Sequence, residues 1–228
     1  WVHNCNAVVV DPSISGPVKK WLLNKNLSLK AILQTHHHED HIGGTQELIK
    51  RWPNAKVIAS KKELKRIPFQ TFSVSNNDVF HLMNSKVDVI EVHGHTNNHI
   101  AFYISKENSK CNILFPGDTL FGGGCGRLLE GTASQMFESL VRLNALPGNT
   151  KIYSAHEYTE NNLKWALSLN PNDISIIGRL RLVQKKLNKG LPSLPSTISD
   201  ERKTNLFLRA RNVEELTILR RHKDNWKC

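Results

Sequence analysis

Short apolar runs separated by polar turns dominate the first 160 residues. "NAVVVDP" (6–12), "KAILQT" (30–35), "AKVIAS" (55–60), "VDVIEVH" (87–93), "HIAFYIS" (99–105), "CNILFPGD" (111–118) and "TKIYSAHE" (150–157) are rich in Val, Ile and aromatics and read as strands. Between them the apolar period lengthens to helical spacing in "SGPVKKWLLNKN" (15–26), where Pro17 falls in the first turn, and in "TQELIKRW" (45–52) and "SQMFESLVRLNAL" (134–146). From about residue 160 the strands stop. "NNLKWALSLN", "DISIIGRLRLVQKKLNKG" and "VEELTILRRHKDNW" read as helices, and "LPSLPSTISDERKT" as a Pro/Ser-rich loop. The pattern predicts an αβ core followed by a small helical region, with no internal repeat.

Composition sharpens this picture in two places. With 228 residues, 39% hydrophobic and 22% charged, the chain can bury a sizeable core, and no apolar run has the length of a membrane span. Four scattered cysteines (Cys5, Cys111, Cys125, Cys228) form no C-x-x-C pair, which argues against a disulfide scaffold or cysteine zinc site and fits a reducing, cytoplasmic setting. The chain opens at Trp1 inside a strand-like run, so truncation is expected and organellar targeting stays open.

Charge is unevenly spread. Of a net +11, residues 179–228 supply a surplus of eight, from 13 Lys and Arg against 5 Asp and Glu. A local basic excess fits an anionic partner near the C-terminal part, although many of these residues also suit a solvated helix face.

The candidate chemistry begins at 35–44, "THHHEDHIGG". His36, His38, Asp40 and His41 are neutral-imidazole and carboxylate donors of the kind divalent ions take, on a turn where Gly43 and Gly44 are expected to free the backbone. Four ligands in six residues exceed what one open site uses, so two ions are indicated. Three later strand ends each offer one more donor: His95 in "HGHTNNH", Asp118 in "PGDTLF" and His156 in "SAHEYT". His37 and Glu39 alternate away from the others. His99 is expected to orient its neighbours by hydrogen bonding rather than to ligate. His3, His81, His93 and His222 read as ordinary surface or core histidines.

The series T-H-x-H-x-D-H, G-H-T, G-D-T-L-F and H-E-Y-T, in this order, resembles the metallo-β-lactamase superfamily. "GDTLFGGGCGRLLEGT" (117–132), "HEYTENNLKWA" (156–166) and "RRHKD" (220–224) narrow the resemblance to the glyoxalase II family, the hydroxyacylglutathione hydrolases. It runs through nearly the whole chain and implies an α+β fold, an αββα sandwich over 1–158 with a helical substrate-binding subdomain over 159–228. It also implies that His36, His38 and His95 bind one divalent ion, zinc first with iron or manganese as alternatives. Asp40, His41 and His156 bind the second, and Asp118 bridges them. Asp40 and Asp118 are then the catalytic carboxylates, beside a metal-bridged hydroxide that attacks the thioester of S-D-lactoylglutathione in the second step of methylglyoxal detoxification. Glutathione contacts are implied at Arg127, Tyr158, Arg220 and Lys223, cations and a hydroxyl suited to a ligand with two carboxylates. The expected partner is this small thioester, with no nucleic acid and no membrane, on a monomer.

Three positions depart from the family pattern. Leu129 replaces an aromatic after "CGR", Asn98 stands where glycine is usual, and Leu206 where proline is usual. Asn98 is expected to take left-handed backbone in place of glycine. Rival readings are a mono-iron persulfide dioxygenase-like enzyme, against which the second ligand set and the "RRHKD" tail weigh, a nuclease of the same superfamily, and a non-catalytic binding protein that kept the fold.

Overall fold

The Val/Ile-rich runs at the start of the chain become one sheet. The computed structural model describes residues 1–105 and 112–227, and these fall into two units, 1–91 with 98–105 and 92–97 with 112–227. In the first unit, β1 (Val2–His3), β2 (Asn6–Val10), β3 (Ser28–Leu33), β4 (Lys56–Ser60) and β5 (Phe72–Val74) form a sheet in that order, parallel from β2 onward. The opening residues form a tight β1–β2 hairpin whose turn uses Asn4 at φ +52°.

Right-handed β-α-β crossovers need helices, and the sequence supplies α1 (Ser15–Asn24), α2 (Glu39–Ile42) and α3 (Thr45–Arg51). No side chain caps α1. Packing holds it instead: Leu22, Ile32 and Leu48 are fully buried together with Ala7, Leu29 and Ala55. Each such aliphatic side chain contributes about 1.5–3 kcal/mol, more than a cap's ~1 kcal/mol. An antiparallel meander, β6 (Val79–Leu82), β7 (Ser85–Glu91) and β8 (Ile100–Ser105), completes this unit. Its first turn is two residues long, Met83 and Asn84, both at positive φ as a type I′ turn requires.

The second unit holds β9 (Ile113–Phe115), the hairpin β10 (Leu120–Phe121) and β11 (Gly124–Cys125), α4 (Ala133–Asn144), β12 (Lys151–Ile152), α5 (Thr159–Leu169), α6 (Ile174–Leu187), β13 (Ser196–Thr197), α7 (Ile198–Thr204), α8 (Leu206–Arg209) and α9 (Val213–Asn225). β12 runs parallel to β9 and antiparallel to β13. A capping box between Thr132 and Gln135 starts α4, and Met136, Ser139, Leu140 and Leu143 form its buried stripe. Trp165 of α5 is fully buried, stacks on Phe207 at 5.1 Å and donates its Nε1–H to His222 Nδ1 at 3.0 Å.

The Pro/Ser segment 191–204 is not all loop. Thr197 caps α7 by accepting from Asp200 N, and Ile198, Glu201 and Thr204 are buried along one face. β13 also places a strand beyond residue 160. Leu206 sits at the first position of α8, where a proline is equally at home because that N–H has no intrahelical partner, so this departure costs the fold nothing. Cys111 and the start of the 111–118 run lie outside the described residues, as does Cys228. Among the described residues no helix is long and apolar enough to cross a membrane.

Candidate metal centre

The ligand-rich loop leaves the end of β3 and turns into α2. His36 is fully buried and His38 half-buried, and their ring nitrogens converge, His36 Nε2 to His38 Nδ1 at 3.0 Å. Two tetrahedral ligands at about 2.0–2.1 Å from one zinc ion stand about 3.3 Å apart, so this pair is spaced as donors to a shared cation. The other nitrogen of His36, Nδ1, faces Thr35 Oγ1 at 3.0 Å, and the His99 ring lies flat against His36 with centroids 4.5 Å apart. His99 meets its neighbour by stacking, and its own Nδ1 lies 3.1 Å from the Ile100 carbonyl oxygen.

Asp40 and His41 follow on α2, with His41 Nε2 3.9 Å from Asp40 Oδ2. His41 Nδ1 meets Asp11 Oδ2 at 3.0 Å. The same carboxylate accepts from Thr35 N (2.8 Å) and Thr35 Oγ1 (2.6 Å). Asp11 is thereby committed to neighbours and orients His41, presenting Nε2 outward. Sequence reading missed it, because a single Asp after a strand looks like a turn residue. Its signal is the backbone, φ +46° in a non-glycine residue. Asp11→Ala is expected to weaken zinc binding by the apo protein about 10–100-fold in a competition titration with a chromogenic chelator, and an unchanged affinity would deny Asp11 this role.

Gly43 and Gly44 do not serve as flexible residues. Both have right-handed φ (−57° and −81°). A Cβ at Gly43 would lie 2.8 Å from the Glu39 and Ser13 carbonyl oxygens, and one at Gly44 2.8 Å from that of Pro12. They are there so that the loop can press against segment 12–15. Asn98 likewise is not left-handed, so that turn makes no demand for glycine. His37 is drawn away from its neighbours by Arg66 Nη1 (3.2 Å to Nε2) and the buried Glu63 (3.4 Å to Nδ1), as its exclusion from the ligand set requires.

The second unit brings together His95, Asp118 and His156. Gly117, at φ +50°, turns the chain after β9 and delivers Asp118. One carboxylate oxygen of Asp118 faces His95 Nε2 and the other faces His156 Nε2, each at 3.4 Å. A carboxylate with one oxygen toward each of two histidines has the form of a bridge between two cations. His95 Nδ1 donates to the Arg127 carbonyl at 2.8 Å, which fixes the tautomer that leaves Nε2 for a ligand. Glycine makes this approach possible: a Cβ at Gly126 would stand 2.0 Å from the Asp118 carbonyl oxygen and 3.2 Å from His95 Nδ1. Behind them Ser139 of α4 donates to the His93 carbonyl at 2.7 Å, and Gly94 (φ +135°) allows the Met136 backbone to close in.

Tyr158 is half exposed and stacks on the His156 ring at 5.0 Å. Next to it, burial acts to raise the Glu157 carboxyl, yet hydrogen bonds from Ser193, Thr159 and the Leu194 backbone outweigh it and hold the group below its ordinary value. Arg127 and Leu129 are exposed. Lys223 Nζ lies 3.1 Å from Asn161 Oδ1 and 4.5 Å from the Trp226 ring centroid. Arg220, in contrast, is buried. Its Nη1 donates to the Cys125 carbonyl at 3.0 Å, its Nη2 pairs with Asp224 at 2.8 Å, and its guanidinium covers the Phe207 ring. Burial pushes the Cys125 thiol up to about 11 even beside this cation, whereas Cys5 is exposed.

The model of the metallo-beta-lactamase superfamily matches residues 2–156, and that of the hydroxyacylglutathione hydrolase C-terminus matches 157–226. A hydroxyacylglutathione hydrolase of Prochlorococcus marinus (strain NATL1A) is 79% identical over 100% of this chain and 91% of its own length. Another from Prochlorococcus marinus (strain MIT 9211) is 57% identical over 99% and 90%. Among solved structures, ETHE1 from Myxococcus xanthus superimposes with a TM-score of 0.70 at 24% identity, covering 99% of this chain and 82% of that one. That likeness is one of fold, the αββα sandwich.

Proposed function

The chain belongs to the hydroxyacylglutathione hydrolases of the metallo-β-lactamase superfamily, and we propose that its two ligand sets serve one dinuclear centre that hydrolyses S-D-lactoylglutathione to D-lactate and glutathione. It is a metal-dependent thioester hydrolase, an enzyme of methylglyoxal detoxification. The observation that carries the dinuclear reading is the Asp118 carboxylate with its oxygens divided between His95 and His156.

In this reading His36, His38 and His95 hold one ion, Asp40, His41 and His156 the other, and Asp118 joins them. The close His36–His38 pair and the 3.4 Å spacings around Asp118 fit divalent cations with nitrogen and oxygen ligands. Zinc suits the set best, and iron or manganese are the alternatives a metal analysis would reveal. Bound ions supply Lewis acidity, which brings the pKa of water near neutrality and polarises a thioester carbonyl. The chain's own residues do the positioning. Asp11 and the Arg127 carbonyl lock the ring tautomers of His41 and His95, and Asp40 and Asp118 are the carboxylates at hand to orient water and take its proton. The leaving group is a thiolate, a weak enough base to depart unprotonated, so no separate general acid is needed.

Residues 1–158 act as the catalytic domain and 159–228 as the substrate-binding subdomain. Arg127, Tyr158, Arg220 and Lys223 are the glutathione contacts, three cations for its carboxylates and a phenol for its peptide groups. A cytoplasmic monomer without nucleic-acid or membrane partners completes the reading.

The test follows loss of the thioester absorbance of S-D-lactoylglutathione, with metal content measured on the same sample. Expected are two ions per chain, turnover that dialysis against a chelator removes, and its return on adding zinc. Two bound ions without turnover would move the substrate elsewhere, and a single iron would sink the dinuclear reading.

A further inference from the structure

Helix α6 carries Arg179, Leu182, Val183 and Lys186 at i, i+3, i+4 and i+7, so they share one face. Opposite that face the chain returns through Leu191, Ser193, Pro195 and Ser196, and a cavity of about 330 Å³ lies between the two. Ligand sites run from roughly 300 to 1,000 Å³, so the space suits a small molecule. None of the candidate metal ligands or glutathione contacts borders it.

The walls are of two kinds. Leu182, Val183, Leu191 and Pro195 make an apolar surface, of which Leu182 and Leu191 remain 65% and 53% exposed. Beside them stand Lys185, Lys186 and Lys189. Lys186 Nζ donates to the Ser193 carbonyl at 3.4 Å, whereas among the described residues Lys185 and Lys189 meet no carboxylate. Arg179 is already committed, its guanidinium held by Glu201 and Thr204. Lysines at the end of a helix also suit its macrodipole. The macrodipole, however, accounts for neither the apolar wall nor Ser196. That residue borders the same cavity at 6% exposure, and its hydroxyl is buried without a hydrogen-bond partner among the described residues. Buried hydroxyls are nearly always satisfied, so an unmet one on a cavity wall is a place for a ligand's polar group.

We propose that this cavity binds a small amphipathic carboxylate, at a site separate from the metal centre. The aliphatic chain covers Leu182, Val183, Leu191 and Pro195, and the lysine ammoniums hold the head group, with the Ser196 hydroxyl as a neutral donor. Asp200 on the same wall disfavours a doubly charged head such as a phosphate. A cavity of this size also does not offer the long cationic track that a nucleic acid follows.

Sodium octanoate is titrated into the metal-loaded protein by calorimetry, with acetate, octanamide and inorganic phosphate as comparators. Co-sedimentation with phosphatidylglycerol vesicles is measured alongside. Octanoate is expected to bind saturably, one per chain, at least about tenfold more tightly than any comparator. Acetate can reach a metal ion but lacks the chain, and octanamide has the chain without the charge. Lys185→Gln combined with Lys189→Gln, and separately Leu191→Asp, should each weaken octanoate about tenfold, and Ser196→Ala about threefold. Metal content and circular dichroism should match wild type. Should Leu191→Asp not fold, the double lysine variant decides. Octanoate binding that the variants leave unaltered would overturn the proposal, as would no saturable binding or equal affinity for acetate. Vesicles that bind where octanoate does not would reduce the cavity to a basic surface patch and overturn it too.

Discussion

Asp118→Ala should remove at least about a thousandfold of the thioesterase turnover, equivalent to ~4 kcal/mol of transition-state stabilisation. The size follows from the position of the side chain. Every other proposed ligand serves one ion, but the Asp118 oxygens are divided between His95 and His156, so its loss opens both coordination shells at once. It also removes the negative charge that offsets two dications at close range, where their mutual repulsion in a poorly solvated site is largest. Metal analysis should read one ion or fewer per chain in place of two, and Asp118→Asn, with one coordinating oxygen left, should fall between. Near-normal turnover in Asp118→Ala with two ions bound would dismiss the bridge.

Gly126→Ala should be nearly as severe although it adds only one methyl group. The new Cβ would stand 2.0 Å from the Asp118 carbonyl oxygen, backbone against backbone, so no side-chain rotation relieves it. Residues 118 and 126 must part, and with them the Arg127 carbonyl that sets the His95 ring. Overpacking of this kind costs about 1–3 kcal/mol of stability. The catalytic loss should exceed what that stability loss explains, about a hundredfold in kcat measured on protein shown to be folded at the assay temperature. A variant that is merely less stable, with kcat intact, would mean that this stretch of chain does not govern the ligands.

The proposed ligands stand out in the sequence because their chemistry is concentrated. Histidines and aspartates at strand ends, four of them within six residues, have few other uses, and the order of the motifs narrowed the family. The supporting residues were not legible, for a physical reason. Asp11 acts on Thr35 and His41, 24 and 30 positions away, and nothing in the neighbouring sequence marks it. Arg220 reads, from the "RRHKD" motif, as a glutathione contact, and its burial against the Cys125 carbonyl appears only in the fold. Gly43 and Gly44 suggested a loose turn, whereas the neighbouring segment at Pro12–Ser15 requires their small size. The segment 191–204 misled through composition: prolines and serines hide the buried face of α7, two of whose three residues, Glu201 and Thr204, are polar and score by hydropathy as surface.

Cys125 gives the hairpin one further property. Disulfide exchange proceeds through thiolates, and a thiol with a pKa of about 11 is ionised to only about three parts in ten thousand at pH 7.5. A hydroxyacylglutathione hydrolase liberates a thiol at every turnover. Buried and protonated, Cys125 neither captures the oxidised form of that thiol as a mixed disulfide nor offers a sulfur ligand to a passing soft metal. The protein can thus work among sulfur nucleophiles without its own sulfur joining the traffic.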